Sequence, residues 1–147
     1  MTDLPTPPDG LLRSVCTHRV PFYETDAMGV VHHAQYLHLL EEARILFLDE
    51  HDMPYLSYVE QDLHFAVTRV ELRYLQAARF DDRVETTAWV EWARGASLGI
   101  AYEIRCGDVL LASALTEHAM VDGSGRPARI PRERRDNLKK LAARPAR

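Results

Sequence analysis

Apolar and polar positions alternate along the chain in two distinct spacings, one helical and one extended. Between about residues 33 and 52 there is neither Gly nor Pro, and apolar residues recur at steps of three and four. This spacing predicts one long amphipathic helix. Its apolar stripe comprises Tyr36, Leu39, Leu40, Ala43 and Phe47. The charged residues are expected largely on the other side of the helix, and they are Glu41, Glu42, Arg44, Asp49 and Glu50.

Segments predicted to be extended precede and follow this helix in the sequence. A first strand is predicted at residues 15–23, which are rich in β-branched and aromatic residues. Further strands are predicted at 65–75, 84–92, 98–104 and 109–121, two of which alternate strictly with period two. We expect these four to follow one another in antiparallel succession. The sequence therefore predicts an α+β fold, with a sheet of about five strands wrapped around one helix.

The two ends of the chain differ in composition from the body. Residues 1–12 contain Pro5, Pro7, Pro8 and Gly10 and predict a flexible lead-in. A single domain is expected at 13–130, and the length of 147 residues fits one domain. Residues 131–147 predict a basic helix and tail, in which Pro131 lies in the first turn and the helix ends at about residue 143.

Charge is spread unevenly over the chain. Nine Lys and Arg and two acidic residues lie in 126–147, a local net charge of +7. Nine basic and twenty acidic residues lie in the first 125, a local −11 that brings the total to −4. This acidic body argues against nucleic-acid binding, whereas the basic end could attract one small anionic ligand. Most of these basic residues are expected to be a solvated helix surface.

The cysteine spacing and the absence of a signal peptide or membrane-spanning segment in the sequence indicate a cellular compartment for the protein. Cys16 and Cys106 are far apart and have no C-x-x-C companion, so neither a disulfide framework nor a zinc knuckle is expected. The N-terminal run has no apolar core of a signal peptide, and no stretch approaches the length of a membrane span. We therefore expect a cytoplasmic protein with no membrane span.

Candidate chemistry concentrates between the first strand and the long helix. Asp26 precedes His33 by seven residues, on a loop that Gly29 allows to fold back tightly. A helix N-terminus offers unpaired N–H groups that stabilise a developing oxyanion, and a nearby carboxylate can attack a carbonyl or activate water. Asp is also a common turn and cap residue, and from spacing alone that ordinary interpretation is favoured.

A longer motif resembles a known family. The pattern Tyr-x-x-Asp-x-x-Gly-x-Val-x-His-x-x-Tyr occupies residues 23–36. It resembles the hotdog-fold acyl-CoA thioesterases, in particular the YbgC and 4-hydroxybenzoyl-CoA thioesterase family. Further matches lie at 42–44, 78–82 and 94–98. The resemblance covers roughly residues 16–132 and implies the hotdog fold.

The resemblance also implies roles for individual residues. Asp26 is the expected catalytic carboxylate, and the backbone N–H of His33 is expected to polarise the thioester carbonyl. Substrate-binding residues are expected to be Tyr23, Gly29, Val30 and Val31 beside the acyl group, and Arg94, Gly95, Ala96 and Ser97 at the coenzyme A nucleotide. Met28 departs from the small residue or Pro that relatives usually carry, and we expect it at the pocket mouth.

The implied activity is hydrolysis of a short- to medium-chain or aromatic acyl-CoA, with no cofactor. The family forms homodimers with shared active sites and often tetramers, so we expect a homodimer and then a tetramer. A carrier-protein thioester remains an alternative substrate. A non-catalytic acyl-CoA-binding or regulatory module is an alternative function. Hydration of an acyl thioester is disfavoured because no hydratase-type His and acid pair is present.

Other residues offer weaker candidates. His32, His33 and His38 suggest a metal, but the spacing of the last two is five and no third ligand is evident, so no metal site is expected. Ser97 and Ser113 lack the G-x-S-x-G elbow of serine hydrolases. Because a carboxylate on the central helix is the catalyst in another hotdog lineage, Glu41 is the fallback catalytic residue.

Overall fold

Five strands and three helices are found in residues 3–146, which the computed structural model describes. They are β1 (Ser14–Arg19), α1 (Gln35–His51), α2 (Tyr55–Glu60), β2 (His64–Tyr74), β3 (Arg83–Ala93), β4 (Ser97–Cys106), β5 (Val109–Val121) and α3 (Arg132–Leu141). Residues 1, 2 and 147 of the predicted lead-in and tail lie outside the described residues. No helix within 3–146 is long and apolar enough to cross a membrane.

Two elements differ from the sequence-based prediction. The first strand ends at Arg19 rather than at residue 23, and residues Phe22–Glu24 form a 3-10 turn. Pro21 explains the early end, because it has no N–H to donate to a strand ladder. The short helix α2 was not predicted. At six residues it is too short to show a helical period.

The five strands form one antiparallel sheet in the order β1-β3-β4-β5-β2. The prediction of four strands in simple succession is therefore wrong for β2, which pairs with β5 at the edge opposite β1. Alternation along a strand reports which face is buried but carries no information about its partner. The chain must consequently cross from β2 at one edge of the sheet to β3, which lies between β1 and β4, in residues 75–82, and this crossover passes the start of α1.

Helix α1 covers the sheet and supplies much of the core. All five residues of the predicted stripe are buried, and Ala43 and Phe47 are fully so. Arg44 contradicts the prediction, because it is only 7% exposed. It lies four residues after Leu40 and therefore on the same side of the helix. Its charge suggested the surface, whereas the helical period placed it inside.

The basic C-terminal segment packs on the domain. Leu138 of α3 is fully buried, and Leu141 is nearly so. The backbone N–H of Arg144 donates to the carbonyl of Glu91 at 3.0 Å, and its guanidinium forms an ion pair with the Glu91 carboxylate. Although most basic side chains of this segment are exposed, its apolar side is part of the core.

Candidate active site

The loop before α1 is folded tightly around Asp26. The N–H of Gly29 donates to the Asp26 carbonyl at 2.9 Å, and the Asp26 N–H donates to the Val30 carbonyl at 2.9 Å. Gly29 has a φ of +77°, in the left-handed region that favours glycine. Because nothing lies within 4 Å of a Cβ added there, conformation rather than space requires glycine. The tight turn expected from the sequence is present.

The Asp26 side chain takes part in this turn and retains free acceptor capacity. Its Oδ1 accepts a hydrogen bond from the Met28 N–H at 2.8 Å. That bond accounts for the ordinary turn-forming role of an Asp. Oδ2 has no hydrogen-bond partner among residues 3–146, and the residue is half-buried. The carboxylate is therefore positioned by its loop and is still able to accept a proton or attack a carbon.

Two neighbouring segments hold the loop in place. The crossover after β2 contributes the carbonyl of Ala78, which accepts from the Val31 N–H at 2.8 Å. On the other side, the Glu24 carbonyl accepts from the His32 N–H at 2.8 Å. The carboxylate of Glu24 is itself buried and binds His18 Nε2, with its two oxygens at 2.5 and 3.0 Å. The loop is thus fixed between β1 and the crossover.

The amino end of α1 leaves the backbone N–H of His33 unused. The N–H of Ala34 donates to His32 Nδ1 at 3.1 Å, whereas the N–H of His33 has no acceptor within residues 3–146. The carbonyl of His33 accepts a hydrogen bond from Tyr74 Oη at 2.8 Å, which fixes this peptide to the end of β2. The His33 ring is exposed and stacks on the His32 ring at 4.2 Å. An anchored, unpaired N–H at a helix start is suited to binding an oxyanion.

A cavity of about 270 Å³ lies beside this loop. We call it the Asp26 cavity. Tyr36 and Tyr74 meet edge to face in its wall, 5.0 Å between ring centroids, and burial raises the pKa of both phenols. Met28 is 78% exposed at its rim, as expected. The lining residues are Asp26, Met28, Val30, Val31, His33, Tyr36, Tyr74, Leu75, Gln76 and Ala77.

The predicted site residues fall into two groups in the structure. Asp26, Val30, Val31 and His33 come together in the wall of the cavity. Tyr23 is 83% exposed and does not line it, and Gly29 shapes the loop without lining the cavity.

Residues 94–97 lie at the other end of the sheet. Strand β3 begins beside the Asp26 loop, because Val30 pairs with Arg79 just before it. It ends at Ala93, roughly 30 Å away at the usual rise per residue. Within one protomer, Arg94 and its neighbours therefore do not meet Asp26. The guanidinium of Arg94 lies over the Trp92 ring, 5.1 Å from its centroid.

Part of the cavity wall was not predicted from the sequence. Tyr74, Leu75, Gln76 and Ala77 line the cavity, and they belong to the end of β2 and the crossover. No local pattern marks them, since their place depends on β2 pairing with β5 rather than with β3. The polar Gln76 between apolar residues is the one local signal that this segment leaves the sheet.

The weaker candidates lie elsewhere. Among residues 3–146 no group of three or more His, Cys, Asp or Glu is arranged to hold a metal ion. Glu41, the fallback catalytic residue, lines a second cavity and not the one beside Asp26.

Comparison with known proteins places this site in a family. A family model described as the thioesterase-like superfamily matches residues 20–140. The chain belongs to this superfamily. The acyl-CoA thioesterase YbgC of Haemophilus influenzae is 33% identical over 117 residues, which cover 78% of this chain and 86% of that protein.

Solved structures of superfamily relatives have the same architecture. A hypothetical protein from Thermus thermophilus superposes with a TM-score of 0.85 and 33% identity, covering 90% of this chain and all of that one. Another from Aquifex aeolicus has a TM-score of 0.80 and 32% identity, covering 86% and 99%. The predictions of a hotdog fold, of this family and of a thioester hydrolase are thereby confirmed.

Proposed function

We propose that this protein hydrolyses a short- to medium-chain or aromatic acyl-CoA to the free acid and coenzyme A. One observation carries the proposal: the half-buried Asp26 carboxylate and the unpaired N–H of His33 line the same cavity. A thioester carbonyl placed there would have its oxygen at the helix N-terminus and its carbon within reach of a carboxylate. The thioesterase-like membership of the chain supports the same chemistry.

In the proposed mechanism, Asp26 acts in its ionised form. The N–H of His33 and the positive end of the α1 dipole draw electron density from the carbonyl oxygen and stabilise the oxyanion. Asp26 either attacks the carbonyl carbon, forming an anhydride that water then opens, or removes a proton from water as the water attacks. In both routes the C–S bond breaks and coenzyme A leaves as its thiolate, which takes a proton from protonated Asp26 in the general-base route and from water in the anhydride route.

The coenzyme A portion is proposed to bind across a dimer. Strand β2 is an edge strand that exposes Val67 and Val70, and such an edge favours pairing. Antiparallel pairing of two β2 edges about a two-fold axis would bring the 94–97 loop of one protomer to the Asp26 end of the other. A pair of such dimers would give the expected tetramer.

The charge at that loop supports an anionic ligand. Arg129 and Arg135 flank Gly95, since a Cβ added at Gly95 would lie 3.7 Å from Arg129 Nη2 and 4.0 Å from Arg135 Nη1. Arg94 precedes Gly95 in the chain and adds a third guanidinium to this loop, and guanidinium groups bind phosphates well. Arg94, Gly95, Ala96 and Ser97 are therefore proposed to hold the nucleotide of coenzyme A.

The test is thiol release from a panel of acyl- and aroyl-CoA thioesters by the wild-type protein and Asp26→Asn. We expect Asp26→Asn to lose on the order of 10²–10⁴-fold in kcat/KM, the usual contribution of a positioned acid or base, while acyl-CoA binding persists. Asp108→Asn, a change at an exposed hairpin residue, is the matched control. Binding without turnover by the wild-type protein would favour a non-catalytic module. If the protein hydrolyses only carrier-protein thioesters, its substrate is a carrier-protein thioester rather than an acyl-CoA.

A further inference from the structure

A second cavity of about 190 Å³ lies between α1 and the sheet. Its apolar walls are Leu37 and Leu40 of α1 and Val67 and Val70 of β2. We call it the Arg44 cavity, because the Arg44 side chain also lines it. The proposed hydrolysis at Asp26 assigns no role to this cavity.

The floor of the Arg44 cavity is polar and buried, whereas its apolar walls are partly exposed to solvent. Tyr102 Oη and Thr116 Oγ1 are 2.8 Å apart, and Thr116 Oγ1 is 2.8 Å from His118 Nε2. Tyr102 is fully buried, His118 is 1% exposed and Thr116 is 5% exposed. Three hydrogen-bonding side chains thus face a cavity whose other walls are apolar.

The guanidinium of Arg44 is incompletely paired. Arg44 is 7% exposed and its Nη1 has no hydrogen-bond partner among residues 3–146. No carboxylate in the same range forms an ion pair with it, and its guanidinium carbon lies 5.6 Å from the centroid of the Tyr55 ring. Since a buried cation without an anion is strongly disfavoured, the site is suited to an anionic or hydrogen-bond-accepting ligand.

The other ionisable groups at the cavity leave Arg44 as its one buried charge. Burial, reinforced by the Arg44 charge, lowers the pKa of His118 to about 3, so His118 is neutral at neutral pH. Burial raises the pKa of Tyr102 to about 12, which keeps that phenol neutral. Glu41 also lines the cavity, but it is exposed and therefore lies at the solvent side.

The two cavities border the same gap between α1 and β2. Arg44 follows His33 by eleven residues, close to three turns, so both lie on one side of the helix, about 16 Å apart along its axis. Side chains on a helix lean toward its amino end, so Arg44 leans toward the Asp26 cavity. On β2, Tyr74 and Val70 lie on one face, and the bulge between Val67 and Arg69 keeps Val67 on that face as well.

We propose that the Arg44 cavity binds the distal carboxylate of an ω-carboxyacyl thioester whose reacting carbonyl lies at the His33 N–H. The carboxylate accepts hydrogen bonds from Arg44 and from the Thr116 hydroxyl. The apolar walls enclose the methylene chain between the two ends. This inference rests on the proposed thioesterase function and assigns it a substrate class, the monothioesters of dicarboxylic acids.

The test compares suberyl-CoA with octanoyl-CoA, which have acyl chains of equal carbon number and differ in the distal carboxylate. We measure the ratio of their kcat/KM values. Arg44→Met is expected to lower the suberyl preference about tenfold or more, since a hydrogen-bonded charge is lost while the length of the side chain is largely kept. Glu41→Gln removes a repelling charge at the mouth and is expected to raise the ratio.

A second pair of variants keeps the test decisive if Arg44→Met does not fold. Thr116→Val removes the cavity hydroxyl in nearly the same volume and is expected to lower the ratio severalfold. Thr86→Val is the control, because Thr86 is equally buried in β3 and does not line the cavity. It is expected to leave the ratio unchanged.

A binding measurement separates this inference from the thioesterase function itself. Free suberate is expected to raise the melting temperature of the wild-type protein more than octanoate does, and Arg44→Met is expected to abolish the difference.

The kinetic outcomes that overturn the inference leave the thioesterase function standing. They are an unchanged ratio of the kcat/KM values for suberyl-CoA and octanoyl-CoA in both Arg44→Met and Thr116→Val, or wild-type turnover of octanoyl-CoA but not of suberyl-CoA. A ratio unchanged by Arg44→Met together with loss of the dimer would assign the guanidinium to a subunit contact instead. Absence of any thioester turnover would overturn the proposed function, while the suberate shift would still report on the cavity.

Discussion

An aspartate lies near each end of α1, and the two differ in how fully they are hydrogen-bonded. Asp26, before the amino end, is half-buried and accepts one hydrogen bond, from the Met28 N–H. Asp52, at the carboxyl end, has a fully buried side chain. Its carboxylate binds the Tyr58 hydroxyl, Arg134 Nη1 at 3.2 Å and Asn137 Nδ2 at 2.8 Å.

The difference separates a carboxylate whose oxygens are used within the fold from one that the proposed function makes reactive. The oxygens of Asp52 are occupied by donors from α2 and α3, so this group ties three helices together and has no capacity left for a substrate. Asp26 keeps an oxygen without a protein partner beside a cavity, next to the unpaired N–H of His33. The polar groups left unsatisfied at the amino end of α1 are those to which the proposed function assigns the substrate, whereas those at the carboxyl end are satisfied within the protein.

Next to the loss expected for Asp26→Asn, the largest effect on turnover is expected from His33→Pro, which deletes the N–H at the amino end of α1. Loss of a single oxyanion donor costs about 10²–10³-fold in kcat, and proline is compatible with the start of a helix. His33→Ala keeps the N–H and removes only an exposed ring, so it is expected to reduce kcat by a few-fold at most. Thiol release by the two variants is the measurement. If His33→Pro and His33→Ala lose kcat equally, the catalytic contribution of His33 comes from its imidazole and not from its N–H.

At the carboxyl end, Asp52→Ala is expected to destabilise the fold by about 3 kcal/mol, because it leaves the buried donors around it without their shared acceptor. Chemical denaturation measures this change. Asp26→Asn should shift the free energy of unfolding by about 0.5 kcal/mol or less, the usual effect at a site away from the core. At temperatures where it is folded, Asp52→Ala should keep the wild-type kcat. A stable Asp52→Ala, or an unstable Asp26→Asn, would contradict the distinction between the two ends.

His118, on the floor of the Arg44 cavity, is expected to make the stability of the fold depend on pH. Its pKa is lowered to about 3 by burial and by Arg44, whereas the imidazole in the unfolded chain titrates near its ordinary value of 6.5. Between these values the unfolded state binds more protons, so stability falls as the pH falls, by up to about 1.4 kcal/mol per pH unit. Denaturation of wild type and His118→Gln from pH 7 to pH 4 checks this. The variant should show the shallower decline, and parallel curves would refute a buried neutral His118.

The smallest effect is expected from Tyr74→Phe. It removes the hydrogen bond from Tyr74 Oη to the His33 carbonyl, a contribution of about 1 kcal/mol, and leaves the ring packed against Tyr36. A looser peptide should position the His33 N–H less well, so kcat is expected to fall severalfold with little change in the melting temperature. Tyr23→Phe, at an exposed phenol outside the cavity, is the matched control. An unaltered kcat would show that the anchor does not influence catalysis.

Local patterns were sufficient to predict much of this protein. The three- and four-residue steps predicted α1 and its buried stripe, and the motif around Asp26 and His33 predicted a loop that the structure forms. Those features depend on neighbours in the chain, so their signal is local. Arg44 shows the limit, because its residue type indicated the surface while its position four residues after Leu40 placed it inside.

The sequence by itself therefore determined helix α1, the presence of the five strands, the turn at Gly29 and the family motif, since backbone conformation and helical or strand periodicity act over a few residues. Only the tertiary structure decided that β2 pairs with β5, that the crossover brings Tyr74 and Gln76 to Asp26, and that residues 94–97 lie at the far end of the sheet. Strand partners are chosen by packing between distant segments, and this long-range choice leaves no periodic trace in the chain.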